Sequence, residues 1–219
     1  MILRAIVGIG LFLAIGVFAT AQPKPGLIVS TGVPPRPAPS DYQAQGQTGT
    51  ITIAADFTGH SIPTPDATFT TEQYIAFEVG LFGKAGDRMT LSPDQFSLKL
   101  NGKKSVIQSS PYALIFSSLK NPEWEEEQVA AKVEKAKTSI NGSGGGGADD
   151  PKPAPPKMPI GVARAMEQKV QKAALPEGDR ALPLAGLLFF QYGGNVKKLS
   201  SIELLYNGPA GKAKLTIQP

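Results

Sequence analysis

Few of the residues that could do chemistry stand in productive arrangements. His60 is the only histidine, and it lies in Thr58-Gly59-His60-Ser61. An imidazole beside a hydroxyl could serve as a base toward a nucleophile. Adjacent residues rarely face each other, however, and working triads are assembled from separate elements. The turn-forming neighbours instead point to an exposed loop histidine. Cysteine is absent, which removes thiol nucleophiles, disulfides, iron–sulfur clusters and Cys/His zinc sites. Asp149-Asp150 could offer carboxylates to a divalent cation, but a calcium loop needs more oxygens at set spacing. Gly144 to Gly147 lacks the Gly-Lys-Ser/Thr ending of a phosphate loop. Asn141-Gly142-Ser143 fits a glycosylation sequon, a three-residue match that chance often supplies. A hydrolase would need an acid and a base gathered in a cleft, and no motif offers them. The expectation is a protein without catalytic residues, cofactor or metal, and not an enzyme.

Binding chemistry is better represented. Trp124, with Tyr112 or Tyr192, could stack on a sugar ring if the rings met on one sheet face, which would make a carbohydrate-binding module. Trp124 also suits a hydrophobic anchor for a helix. The chain carries 22 Lys and Arg against 18 Asp and Glu, a formal charge of +4. Nucleic-acid binding requires cations gathered on one face. The pairs Lys103-Lys104 and Lys197-Lys198 are far apart in sequence and each sits near a predicted turn, so no nucleic-acid partner is expected.

The first residues set the compartment. Arg4 precedes an apolar run from Ala5 to Phe18, followed by Ala19-Thr20-Ala21. A positive start, a short apolar core and an Ala-x-Ala site read as a secretory signal peptide over 1–21. A secreted or periplasmic protein of formal charge +3 would result, since only Arg4 is lost. If uncleaved, this segment would be the only contact with a membrane. Residues 22–49 hold six prolines, Pro23, Pro25, Pro34, Pro35, Pro37 and Pro39, and read as an extended tether.

Two blocks, 50–118 and 181–219, have the pattern of strands. Ile75, Phe77, Val79 and Leu81 alternate with Tyr74, Ala76, Glu78 and Gly80, the period of a half-buried strand. Ile51 and Ile53 precede them, and Phe96, Leu98 and Leu100 repeat the alternation before Asn101-Gly102. That dipeptide favours a type I′ turn, so a hairpin into 103–107 is expected. Residues 112–117 read as one more short apolar strand. Leu187 to Phe190 form a continuous apolar run, as in a strand covered on both faces. Ile202, Leu204 and Tyr206, then Ala213, Leu215 and Ile217, give two last alternating strands around Asn207-Gly208-Pro209. Many short strands with regular turns predict a mainly β protein, an antiparallel sandwich of immunoglobulin size.

Residues 119–180 have another composition and read as an inserted, helical and partly disordered segment. Asn121-Pro122 starts a helix with Glu123, Glu125, Glu126 and Glu127 early and Lys132, Lys135 and Lys137 late, an order that complements the helix dipole. A Gly/Pro linker follows over 141–158. A second helix over 159–174 places Val162, Met166, Val170 and Ala174 on one ladder. The two helices, of opposite net charge, could pair as a hairpin. Loops and insertions on a rigid scaffold often carry function, so Trp124, Val129, Val133, Met166 and Val170 are the expected partner contacts.

The run Tyr74-Ile-Ala-Phe-Glu-Val, the segment Met89 to Gly102 with Pro93, Phe96 and Leu98, and Gly186-Leu-Leu-Phe-Phe followed by Ile202-Glu-Leu-Leu-Tyr form a pattern. It resembles secreted bacterial immunoglobulin-like modules of unknown function, often found in lipoproteins and surface proteins. The resemblance spans about half the chain. It departs from the pattern in lacking a lipoprotein cysteine and in carrying the helical insertion. It implies an immunoglobulin-like sandwich and no catalytic residues. Together these readings give a non-catalytic accessory module that binds an envelope protein, with a glycan as the alternative ligand.

Overall fold

The structure is a computed structural model and describes residues 29–128, 130 and 158–219. The expected signal peptide lies outside the described residues, as does most of the Gly/Pro linker. The described strands are, in chain order, β1 (Ala44–Thr48), β2 (Ile51–Gly59), β3 (Ser61–Pro63), β4 (Thr68–Thr71), β5 (Tyr74–Phe82), β6 (Arg88–Leu91), β7 (Phe96–Leu100), β8 (Ile107–Ser110), β9 (Leu119–Lys120), β10 (Gly178–Ala181), β11 (Leu184–Gln191), β12 (Ile202–Gly208) and β13 (Gly211–Ile217). The protein is mainly β. Eight strands form one antiparallel sheet in the order β1-β2-β5-β11-β8-β7-β12-β13. The sheet curls until its two ends approach. The Thr48 hydroxyl at the end of β1 donates to Ala210 O between β12 and β13, 2.9 Å, which makes the sheet nearly a barrel.

Alternation explains the interior. Ile51, Ile53 and Ala55 of β2 share one apolar core with Ile75, Phe77, Val79 and Leu81 of β5. Across that core stand Phe96, Leu98 and Leu100 of β7, Ile202, Leu204 and Tyr206 of β12, and Leu215 and Ile217 of β13. Each Val, Leu, Ile or Phe among them contributes about 1.5–3 kcal/mol when fully buried. β8 is the corner between the two walls. It pairs with β11 only at Ser109 and Ser110 and with β7 only at Ile107 and Gln108.

β11 is covered on both faces, as its unbroken apolar run predicts. Leu188 and Phe190 face the main core. Leu187 and Phe189 face outward into a second cluster with Met166, Val170 and Ala173 of the helix Ile160–Ala173, and with Ile62, Phe69, Ile115 and Leu119. One edge of β11 pairs with β5 along its whole length. The other edge is filled by three separate pieces of chain: Val33 bridges Ala185, Ala174 bridges Leu187, and β8 takes the far end. Gly186 is required there, because a Cβ would collide with the Leu175 backbone.

Several expectations are corrected. The Pro-rich stretch is not a free tether over its described part. Residues 31–43 cross the outer face of the sheet, and the first strand begins at Ala44, before the expected start of the folded block. The physical reason is a set of specific contacts. Val33 N donates to Ala185 O, 2.9 Å. Tyr42 is buried over Gly80, where a Cβ would lie 2.6 Å from its hydroxyl. Arg36 pairs with Asp56 and with Glu78, at 3.3 Å for the latter, and donates to Asp41 O at 2.5 Å. Asp56 and Glu78 are register partners on β2 and β5. Like charges directly opposite are destabilising, and Arg36 bridges the two carboxylates.

Asn101 and Gly102 take the positive φ of the expected turn, 52° and 65°, yet the return strand is 107–110 rather than 103–107. Residues 112–118 form a 3-10 helix instead of a strand. It follows Pro111, which has no N–H to give a ladder, and of its residues only Ile115 is buried. The expected insertion is also tied into the body. Leu119 and Lys120 pair with β4, β10 pairs with β6, and Leu175 belongs to the main core. Residues 122–128 are helical, whereas the expected pairing of this helix along its length with the second one falls outside the described residues.

Two measurements check this packing. Arg36→Ala is expected to lower the unfolding free energy in urea by about 1–3 kcal/mol, because it leaves paired carboxylates uncompensated. Asp56→Asn added to it should recover part of the loss; unchanged stability in the single variant would contradict the clasp. Burial pushes the hydroxyls of Tyr42 and Tyr206 up, against weaker lowering by the N–H groups of Arg36 and Ala210. The folded state therefore keeps both phenols neutral where the unfolded chain ionises them. Their contribution is complete below about pH 10 and is lost as pH rises through the folded values. Thermal melts should fall steeply above that pH, and Tyr42→Phe should flatten the fall.

Candidate binding face

The residues singled out by their chemistry do not come together. His60 is half-buried, not an exposed loop residue. Its Nδ1 lies 2.7 Å from Tyr74 O and its Nε2 3.0 Å from Gly194 O. Both ring nitrogens face backbone carbonyls and not the Ser61 hydroxyl, so His60 and Ser61 form no dyad. The exposed-loop expectation fails because the start of β5 and the residues after β11 close around the ring. Among the described residues no group of three or more His, Cys, Asp or Glu could hold a metal ion. Among the same residues no helix is long and apolar enough to cross a membrane. Asp149-Asp150, the glycine run and the sequon lie outside the described residues.

The three aromatic residues with sugar-stacking potential are also dispersed. Tyr112 packs against Phe116, ring centres 5.9 Å apart, and its hydroxyl accepts from Gln171, 3.0 Å. Tyr192 stacks on His60, ring centres 6.4 Å apart. Trp124 is half-buried at a helix start, its backbone N–H donating to Asn121 Oδ1 at 3.3 Å. No two of the three rings touch. Of the expected partner contacts, Met166 and Val170 are 4% and 0% exposed. Their side chains pack against the outer face of β11 and are not available to a partner. The reason is geometric: the ladder read as an interaction stripe is the stripe that fastens the helix. The side chains of Val129 and Val133 lie outside the described residues.

The sheet has two outer faces of different kinds. The face of β2, β5 and β11 is covered by residues 31–43, the helix Ile160–Ala173 and the β3–β4 hairpin. The face of β7, β12 and β13 has no cover among the described residues. Side chains alternate outward there in rows set by the register. Lys99 stands beside Glu203 and Thr216, Ser97 beside Leu205 and Lys214, and Asn207 beside Lys212. Rows repeat at roughly 7 Å along the strands and roughly 5 Å between them. Ser97, Lys99, Leu205, Asn207, Lys212 and Lys214, with Val106, line a shallow trough of ≈ 490 Å³. Val106, 44% exposed, and Leu205 give it apolar patches, and Leu205 stands between Ser97 and Lys214. Tyr206 faces the core, so this part of β12 presents no aromatic ring to solvent.

Charge is concentrated on this side. Residues 96–110 and 192–219 hold seven lysines and one acid, Glu203, a formal +6. The whole chain sums to +4, so all other residues together sum to −2. The two lysine pairs that are remote in sequence are joined at one end by Asn101. Its Oδ1 accepts from Ser200 N, 2.7 Å, and its Nδ2 donates to Lys198 O, 3.4 Å. Only Lys214 has a carboxylate partner, Glu203 at 3.1 Å. Lys99, Lys103, Lys104, Lys197, Lys198 and Lys212 have none among the described residues. Ammonium groups on flexible stems act as compact point charges and lack the bidentate fork of arginine. The face is built to attract anionic groups without imposing one geometry on them. Sequence reasoning missed it because the cations come from four separate segments. The signal that was present is their outward parity on strands already legible as strands.

Comparison with known proteins brings no relative to this fold or face: no family model matches the chain, and neither a curated protein nor a solved structure does.

Proposed function

We propose that this protein is a secreted or periplasmic, non-catalytic binding module that acts through protein–protein contacts. The carrying observation is the contrast between the two outer faces. One is sealed by the chain itself, and the other is uncovered among the described residues, lysine-rich and supported from beneath by a buried core. We also propose an immunoglobulin-like layout. Two walls facing each other across one apolar core, with a short corner strand passing between them, support that reading. The compartment rests on the signal-like residues 1–21, and an envelope protein is the partner that compartment supplies.

A photo-crosslinking residue placed at Val106, in cells that make the protein, should give one discrete adduct. The same residue at exposed Ala85, between β5 and β6, should not. No adduct from Val106, or the same adducts from both positions, would contradict a binding role for this face.

A further inference from the structure

We propose that the β7–β12–β13 trough takes an extended, acidic polypeptide segment, with carboxylates at alternate positions and an apolar side chain between them. This rests on the binding role proposed for the face and adds the chemistry of the partner. Three observations carry it. First, the trough is lined by Lys99, Lys212 and Lys214 and by no acid, so its attraction is for anions, and like-charged partners are rejected. Second, the outward residues repeat with the period of a strand. Lys212 and Lys214 are two residues apart on β13, and an extended peptide also brings alternate side chains to one face at roughly 7 Å. A peptide lying along the strands thus meets ammonium groups in its own repeat. Third, Leu205 lies between Ser97 on β7 and Lys214 on β13, with Lys212 one outward position along β13. An apolar side chain flanked by carboxylates fits that floor.

Other polyanions match less well. A nucleic acid bound as a single strand needs aromatic platforms for its bases, and Tyr206 of β12 points inward at 1% exposure. A lipid surface needs several apolar side chains that protrude into it, whereas this trough offers Val106 alone, with Leu205 half-buried in its floor.

The test is titration of the full chain with a fluorescent peptide of alternating Glu and Thr carrying one central Val. Saturable binding that weakens as salt is raised is expected. Lys99→Glu with Lys212→Glu should weaken it about tenfold or more, and the neutral pair Lys99→Gln with Lys212→Gln by less. Lys84→Glu, in the exposed β5–β6 loop, should leave it unchanged. A peptide of the same composition with its Glu residues in one block should bind more weakly. Equal binding of the blocked peptide, equal loss in Lys84→Glu, or tighter binding of oligothymidylate or phosphatidylglycerol vesicles would overturn the proposal. The Val106 adduct separates the two levels. If it persists in the double Glu variant, the acidic partner is wrong and the binding face stands. If it never forms, the binding face itself is wrong.

Discussion

The fold hangs on β11. A strand buried on both faces and occupied on both edges must find four sets of partners, and in this chain each set comes from a different part of the sequence. β5 takes one edge. Val33, Ala174 and β8 share the other. The main core takes Leu188 and Phe190, and the helix Ile160–Ala173 with the β3–β4 hairpin takes Leu187 and Phe189. No backbone group of a buried strand can be left without a partner at low cost. The segments on the second edge are therefore obligatory, although none of them has the composition of a strand.

That requirement explains why, among the described residues, one outer face is sealed and the other uncovered. Residues 31–43 and the helix must lie where β11 needs them, and they cover the face on their way. Once there they recruit their own contacts. Arg36 bridges Asp56 and Glu78, and Tyr42 settles over Gly80. The wall of β7, β12 and β13 is single-layered outward, so its outward parity can be polar. There the chain has placed lysines, and the acidic residues lie almost wholly elsewhere. The segregation of charge is a property of the folded surface and cannot be read from a total of +4.

The strands with clear alternation were legible in advance: β2, β5, β7, β11, β12 and β13 all coincide with the apolar periods that predict them. So was the helix over 159–174, observed as Ile160–Ala173. What escaped were short strands whose pairing is decided by distant partners. β10 is Gly-Asp-Arg-Ala, and nothing in those residues favours a strand except β6 lying beside it. β1 contains Gln45, Gly46 and Gln47 and owes its place to β2. The candidate site was less legible still. Met166 and Val170 have the spacing of a partner-binding stripe and of a core-facing stripe alike, and only the outward Leu187 and Phe189 decide between them. His60 was misjudged for a similar reason, since the carbonyl of Gly194 that holds it is distant in sequence.

Amide hydrogen exchange tests the role of β11 most directly. If the second edge is obligatory, the amides of Val33 and Leu175, bonded to Ala185 O and Leu187 O at 2.9 Å each, should exchange only through global opening. Their protection would then lie within about tenfold of that of the β5 and β11 amides. Fast, independent exchange at Val33 and Leu175 while β5 and β11 stay protected would contradict it, and would make β11 a strand that holds without them.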